Sequence, residues 1–387
     1  MSLFAKFLYV IFLVVGCPVI AVLMYENMAP PIPLGNSFLH EAPDLTEAEL
    51  DFRTFDFYPY TGWHIQENIH HKGPLKGEEQ GYDYDLKSGS LGFFIDFDLL
   101  NPPEKEENEY RIILIGGSGA QGWGGQSNEK MFYQKLEKKL NSSPALQGRK
   151  ITVINMAMAG SVSYQNFLAL NKWGHQLEPD LIVSYSGVND LDVPIANQSD
   201  SYLRFNQLAG LTYLVRGSEY PASLKWLVSL FPRTLNRTGI GHALKMLISS
   251  NYFTELAKQR NMKTFNNEGL DIRGKVDKIA IPAYADALKS IKRDFQGIPI
   301  LYALQAMSQS EASWYDVHLG ENYYNNFYNS VVSRVDNYVN SDWYFVNVHQ
   351  KLSHRTEKYI SLHLGNEGHT LVAEILAKKI EKIMSLK

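Results

Sequence analysis

Five short apolar runs rich in β-branched and aromatic residues recur along the last three quarters of the chain: 111–115 (RIILI), 151–155 (ITVIN), 181–185 (LIVSY), 299–304 (PILYAL) and 343–348 (WYFVNV). Runs of this length and make-up suit strands covered on both faces. Between them the apolar positions take a helical period, over 129–140, 164–175, 276–295 and 322–339, and a last helix over 367–383 ends rich in lysine. Strands alternating with helices predict a parallel sheet sandwiched by helices, with ligands at the carboxyl ends of the strands. The stretch 194–274 is long for a connection between the third and fourth strands. It reads as a helical insertion that shapes access to those ends.

The N-terminus has a different pattern. Residues 7–24 (FLYVIFLVVGCPVIAVLM) carry no charge, with Lys6 before them and Glu26 after. Eighteen residues of helix span about 27 Å, close to the thickness of a bilayer's hydrocarbon core. The flanking lysine keeps the short N-terminus in the cytoplasm and sends the body of the chain across, into the periplasm or the cell exterior. No A-x-A-like site follows, which favours a retained, single-pass signal anchor over cleaved secretion. Val14-Val15-Gly16-Cys17 resembles a lipobox, but the residues after Cys17 stay apolar where a mature lipoprotein turns polar. The chain therefore divides into an anchor over 1–27, a linker and β-rich or irregular extension over 28–108, and an α/β domain over 109–387. MAPPIP at 28–33 is a stiff linker, and NPPEKEENE at 101–109 marks the last boundary.

Composition narrows the function classes. The chain has 387 residues, is 45% hydrophobic and carries a formal net charge of -4, enough apolar material for a large core and no basic excess for wholesale nucleic-acid binding. Its single cysteine, Cys17, excludes an intramolecular disulfide framework and a Cys-rich zinc site.

Candidate chemistry clusters where the strands end. The first strand runs into Gly116-Gly117-Ser118-Gly119, a small-residue turn that presents a hydroxyl. Taken alone this is a turn, a nucleophile or a phosphate loop, although GGSGAQGWGG lacks the Gly-Lys-[Ser/Thr] ending of the last. The second strand ends in Asn155-Met156-Ala157-Met158-Ala159-Gly160-Ser161 and the third in Tyr185-Ser186-Gly187-Val188-Asn189-Asp190. Asn189 by itself reads as a turn residue or a cap. Just before the last helix stands Leu362-His363-Leu364-Gly365-Asn366-Glu367-Gly368-His369.

Taken in order, Gly-Gly-Ser, Asn-x4-Gly, Gly-x-Asn-Asp and His-Leu-x-x-x-Gly-His resemble the SGNH/GDSL hydrolase superfamily from about residue 111 to the C-terminus. Leu91-Gly92-Phe93 is similar to the lead-in of its membrane-anchored bacterial members. The resemblance implies a flavodoxin-like three-layer α/β/α sandwich. It implies Ser118 as nucleophile and His363 as general base. The Ser118 and Gly160 backbone N–H groups and the Asn189 amide would be the oxyanion donors. No metal or organic cofactor is implied. Two positions depart from the family pattern. Gly117 stands where the family's Gly-Asp-Ser has aspartate. Ile360 stands three residues before His363, where the family places the carboxylate that orients the histidine, and Glu357 and Glu367 are out of register. A backbone carbonyl holding His363 would leave a Ser–His dyad.

The expected function is thus a serine acyl-ester hydrolase or O-acyltransferase, with an ester of a small molecule or cell-envelope glycan as substrate by analogy with envelope-tethered relatives. The alternative is an inactive member that keeps the fold and binds a glycan or a partner. His64, His70 and His71 read as a solvated loop rather than a metal site, and Asn141, Asn197 and Asn236 begin Asn-x-[Ser/Thr] triplets that arise often by chance.

Overall fold

The computed structural model describes residues 55–58, 61–65, 67–74, 83–191, 272–336, 343–352, 359–360 and 363–385. The expected anchor, the 28–33 linker, Cys17, Asn197, Asn236, Glu357 and nearly all of the 194–274 stretch lie outside them. Among the described residues, no helix is long and apolar enough to cross a membrane.

Two antiparallel hairpins come first. β1 (Phe55–Tyr58) pairs with β2 (Gly62–Ile65), and β3 (His70–Pro74) pairs with β4 (Asp83–Lys87). The period-2 rule shows in β3, where His70 is exposed and forms a 2.6 Å hydrogen bond with Asp85, while His71 is buried. Residues 88–99 then strap the extension to the main body. Leu91, Phe93 and Leu99 are fully buried there, and the buried His64 uses its two ring nitrogens on the Leu91 carbonyl and the Thr61 hydroxyl, each at 2.9 Å. The expectation of a solvated histidine loop fails for His64 and His71. A ring between two polar partners inside an apolar strap is satisfied without water. No group of three or more His, Cys, Asp or Glu side chains suited to a metal occurs among the described residues.

The main sheet has five parallel strands: β5 (Glu109–Gly116), β6 (Lys150–Asn155), β7 (Leu181–Ser186), β8 (Ile300–Leu304) and β9 (Trp343–Asn347), in the spatial order β6-β5-β7-β8-β9. Helices among the described residues include α1 (Ser118–Gln121), α2 (Phe132–Asn141), α3 (Ser163–Ala169), α4 (Ile281–Asp294), α5 (Gln309–Leu319), α6 (Tyr323–Asp336), α7 (Val348–Leu352) and α8 (Asn366–Met384). Alternate residues of one strand enter different cores. Ile112 and Leu114 of β5 pack with Leu136 and Leu140 of α2 and with Leu376 and Ile380 of α8. Ile113 and Ile115 pack in the core that holds Ala169, Tyr284 and Leu288 of α3 and α4 and Val331 of α6. Helices therefore cover both faces, which explains why the strand sequences are continuously apolar.

The exposed edge of this sheet is blunted by side chains. Asn141 of α2 accepts from the Ile151 N–H at 2.9 Å and donates to the Ile151 carbonyl at 2.7 Å, and the Glu137 carboxylate accepts from the Val153 N–H at 2.7 Å. These contacts occupy three outward-facing groups of β6 that could pair with a foreign strand.

The sheet order reverses direction between β5 and its two neighbours, β6 and β7. In open α/β sheets the crevice at such a switch point, outside the carboxyl ends, is where ligands bind.

Candidate active site

Three turns meet at that crevice, after β5, β6 and β7, and the structure ties them to one another. The Ser161 hydroxyl, after β6, donates to the Gly116 carbonyl at the end of β5 at 2.8 Å. The Asn189 amide, after β7, donates to the Ser161 carbonyl at 2.8 Å. The Ser163 N–H donates to the Asp190 carboxylate at 2.8 Å. That bond satisfies one of the N–H groups a helix start leaves without an internal partner, and Gln165 reaches back to the Val162 N–H at 3.0 Å to satisfy another. Ser161, Asp190 and Gln165 are all buried. Motif reading alone does not assign them this cross-bracing role, because a Gly-Ser or Asn-Asp pair looks like any turn.

Ser118 opens α1 directly after β5 and is half-buried. Gly117, before it, has φ −86°, a conformation open to every residue. Space excludes a side chain there: a Cβ at 117 stands 2.1 Å from Asn189 Nδ2. The departure from Gly-Asp-Ser thus has a physical account, since Gly117 admits the Asn189 amide beside the serine turn. Gly160 sits in the β6 turn with φ +70°, and its neighbour Ser161 holds Asn189. Ser118, Gly160 and Asn189 therefore occupy three mutually braced turns at one end of the sheet.

His363 arrives from 245 residues further along, and its Nε2 lies 3.0 Å from Ser118 Oγ. It lies in β11 (His363–Leu364), which pairs antiparallel with β10 (Tyr359–Ile360), so that position 360 is directly across from His363. Burial pushes the imidazole pKa down to about 4, leaving it a neutral acceptor at pH 7. Among the described residues no carboxylate bears on the ring, in keeping with isoleucine at 360. Glu367, on the first turn of α8, is exposed.

Two further groups close the site. His369, fully buried in α8, stacks on Phe132 with ring centroids 6.1 Å apart, and burial pushes its pKa down to about 3. Gln305, at the carboxyl end of β8, lays its side chain against Gly119: a Cβ there would stand 2.3 Å from Gln305 Nε2. Gln305 follows the fourth apolar run without turn residues, so nothing in the sequence marks it as part of the crevice.

No family model matches the chain, and no curated protein does. Among solved structures, the chain is similar to a Clostridium thermocellum family 3 carbohydrate esterase, at 16% identity and a TM-score of 0.38 over 72% of this chain and 98% of that one. It is similar to the acetyl xylan esterase AlAXEase at 13% identity and a TM-score of 0.39, over 69% and 98% of the two chains. The likeness to the lipase/acylhydrolase from Enterococcus faecalis is 12% identity and a TM-score of 0.40, over 70% and 96%. Likenesses of this size carry nothing about activity or substrate to this chain.

Proposed function

We propose that this chain is a serine acyl-ester hydrolase or O-acyltransferase of the SGNH type, acting through Ser118 and His363. The observation that carries the reading is the 3.0 Å approach of His363 Nε2 to Ser118 Oγ at the switch-point crevice. A serine hydroxyl is a weak nucleophile until a base within hydrogen-bond reach takes its proton. His363, held neutral by burial, can take it. Oγ then attacks the ester carbonyl, and its proton resides on Nε2 until it passes to the departing alcohol. The tetrahedral oxyanion needs donors aimed at it. The Ser118 and Gly160 N–H groups and the Asn189 amide are assigned that task. An amide has two N–H donors, so Asn189 can hold the Ser161 carbonyl with one and serve the oxyanion with the other. Water or a second alcohol then takes the acyl group from Ser118. The substrate is assigned as an ester of a small molecule or an O-acetylated envelope glycan, by analogy with envelope-tethered members of the family.

The test is covalent labelling with a fluorophosphonate, alongside hydrolysis of p-nitrophenyl acetate. Labelling should vanish in Ser118→Ala, and hydrolysis should vanish in both Ser118→Ala and His363→Ala. A folded protein that neither labels nor hydrolyses favours the other reading, an inactive binding member, which isoleucine at 360 supports. Full hydrolysis in His363→Ala would place the base elsewhere.

We also propose that residues 7–24 anchor the chain in the membrane, with the α/β domain outside the cytoplasm. The uncharged run supports this. The full chain should sediment with membranes and resist carbonate extraction, and protease added outside an opened envelope should digest its body. Protection of the C-terminal domain inside the cytoplasm would overturn the orientation.

A further inference from the structure

Among the described residues no carboxylate bears on His363, and a serine hydrolase without that acid lacks two services: a hold on the ring's orientation and stabilisation of the imidazolium. In a serine protease, disabling that acid cost about 10⁴ in kcat. The segment after α1 supplies groups suited to replace part of both. We propose that Trp123 is a positioning residue for His363, holding the plane of the imidazole and favouring its protonated form through the indole π-system; the assignment rests on the hydrolase reading above.

Three observations carry it. The Trp123 and His363 rings lie beside one another in a tilted pair, with centroids 6.0 Å apart and planes 37° from parallel. A cation within about 6 Å of an indole centroid is attracted by the ring's quadrupole, and a proton arriving on His363 creates such a cation at the moment of catalysis. The indole is itself fixed: its Nε1–H donates to Gln121 Oε1 at 2.7 Å, and the backbone carbonyl of Gln121 accepts from the buried Asn155 amide at 3.0 Å. The loop that carries it is built to lie against the histidine strand. Gly124 has φ +89°, and a Cβ there would stand 2.2 Å from the Leu364 carbonyl and 3.2 Å from His363 Cβ. Only glycine combines that backbone with that approach. The Gly-rich GGSGAQGWGG stretch is thereby explained: its first half turns the chain at Ser118, and its second half docks on His363.

The surroundings leave the indole this role. From α8 the neighbouring titratable group is His369, a like charge when protonated, held neutral by burial with Lys135 of α2 adding to the effect. From α1 and β11 no charged side chain bears on the ring, and burial alone depresses its pKa.

The experiment compares Trp123→Phe, Trp123→Leu and Gln121→Leu in the full chain, using p-nitrophenyl acetate and reading kcat, KM and the pH profile. Phenylalanine keeps a π face and leucine keeps only an apolar wall. Trp123→Phe should stay within about threefold of the parent kcat, and Trp123→Leu should lose about tenfold in kcat with KM unchanged, a cation–π effect of the expected size. Gln121→Leu removes the brace and should lower kcat with KM unchanged. The acid limb of kcat should move to lower pH in Trp123→Leu and stay in place in Trp123→Phe. Equal kcat in the phenylalanine and leucine variants overturns the proposal. If the leucine variant fails to fold, an unaltered kcat in Gln121→Leu overturns it on its own. Failure of the parent reading is distinguishable, because it shows as full activity in His363→Ala whatever the Trp123 variants do.

Discussion

At the scale of single residues, the site depends on atoms that are missing as much as on atoms that are present. Gly117 has an unremarkable backbone, so its requirement comes wholly from the Asn189 amide that fills its Cβ space at 2.1 Å. Gly117→Ala must push that amide aside or distort the serine turn, and the amide is anchored to the Ser161 carbonyl. Since a single oxyanion donor is worth about 10²–10³ in rate, Asn189→Ala should lower kcat on p-nitrophenyl acetate by that factor, and Gly117→Ala should approach the same loss. The two should not add, because both disable one donor. A double variant that loses the product of the single effects would show that Gly117 acts through something other than Asn189. Ser118, Gly160, Asn189 and His363 were all legible in the sequence as candidates, because strand-end turns and the histidine before the last helix fall in a recognisable order. The brace beneath them was not. Ser161 and Asp190 are ordinary turn residues until the turns are brought together, and Trp123 gains meaning only once His363 lies beside it.

At the scale of elements, pattern reading worked where the physics is local. Strands covered on both faces must be apolar throughout, and all five stand within two residues of their expected ends, such as β7 at Leu181–Ser186. Helices with one buried stripe were equally visible, with α8 at Asn366–Met384 and α6 at Tyr323–Asp336. The failures have their own causes. The helix expected over 164–175 is present, but its winding changes from α3 to a wider segment at Leu170–Gly174 and a tighter one at His175–Leu177, which an apolar period does not reveal. α5 escaped notice because its apolar positions do not form one stripe: Tyr315 and Leu319 are buried while Val317 is 80% exposed. α7 begins immediately after β9, so its first residue, Val348, reads as a continuation of the strand. In the β-rich stretch before residue 109, alternation pointed to strands, but which hairpin pairs with which segment depends on long-range contacts such as His64 with the Leu91 carbonyl.

At the scale of the whole molecule, the parts fit one thermodynamic pattern: imidazoles held uncharged inside a packed α/β body. Burial lowers the pKa of His349 to about 4, of His363 to about 4 and of His369 to about 3, against an ordinary value of 6.5. A histidine whose pKa is depressed in the fold contributes stability above 6.5, and that contribution is lost as pH falls through the folded value. Below 6.5 the unfolded chain takes up protons that the folded chain refuses until about 4, so acid favours unfolding. The carboxylates act in a different window. Asp85 is held below its usual range first by the hydrogen bond from His70, and Glu109 by its bonds from Arg111 and Thr152 against the opposing cost of burial; both lose stabilisation only nearer pH 4. Glu137 is pushed up by burial and works in the opposite sense. Between pH 6.5 and about 5.5 the three histidines lower stability together as pH falls. Urea unfolding at a series of pH values should show stability falling across that window by about 1.4 kcal/mol per pH unit for each imidazole held neutral in the fold once the unfolded side chain is protonated. Replacing His349, which accepts from the Met307 N–H at 3.4 Å and has no part in the proposed Ser118–His363 pair, with glutamine should flatten the slope by about one proton while leaving esterase activity in place. A stability profile that is level from pH 6.5 to 5.5 would mean that these rings charge freely in the fold, and His363 would then be protonated, and unable to act as a base, at the mildly acidic pH where this structure leaves it neutral.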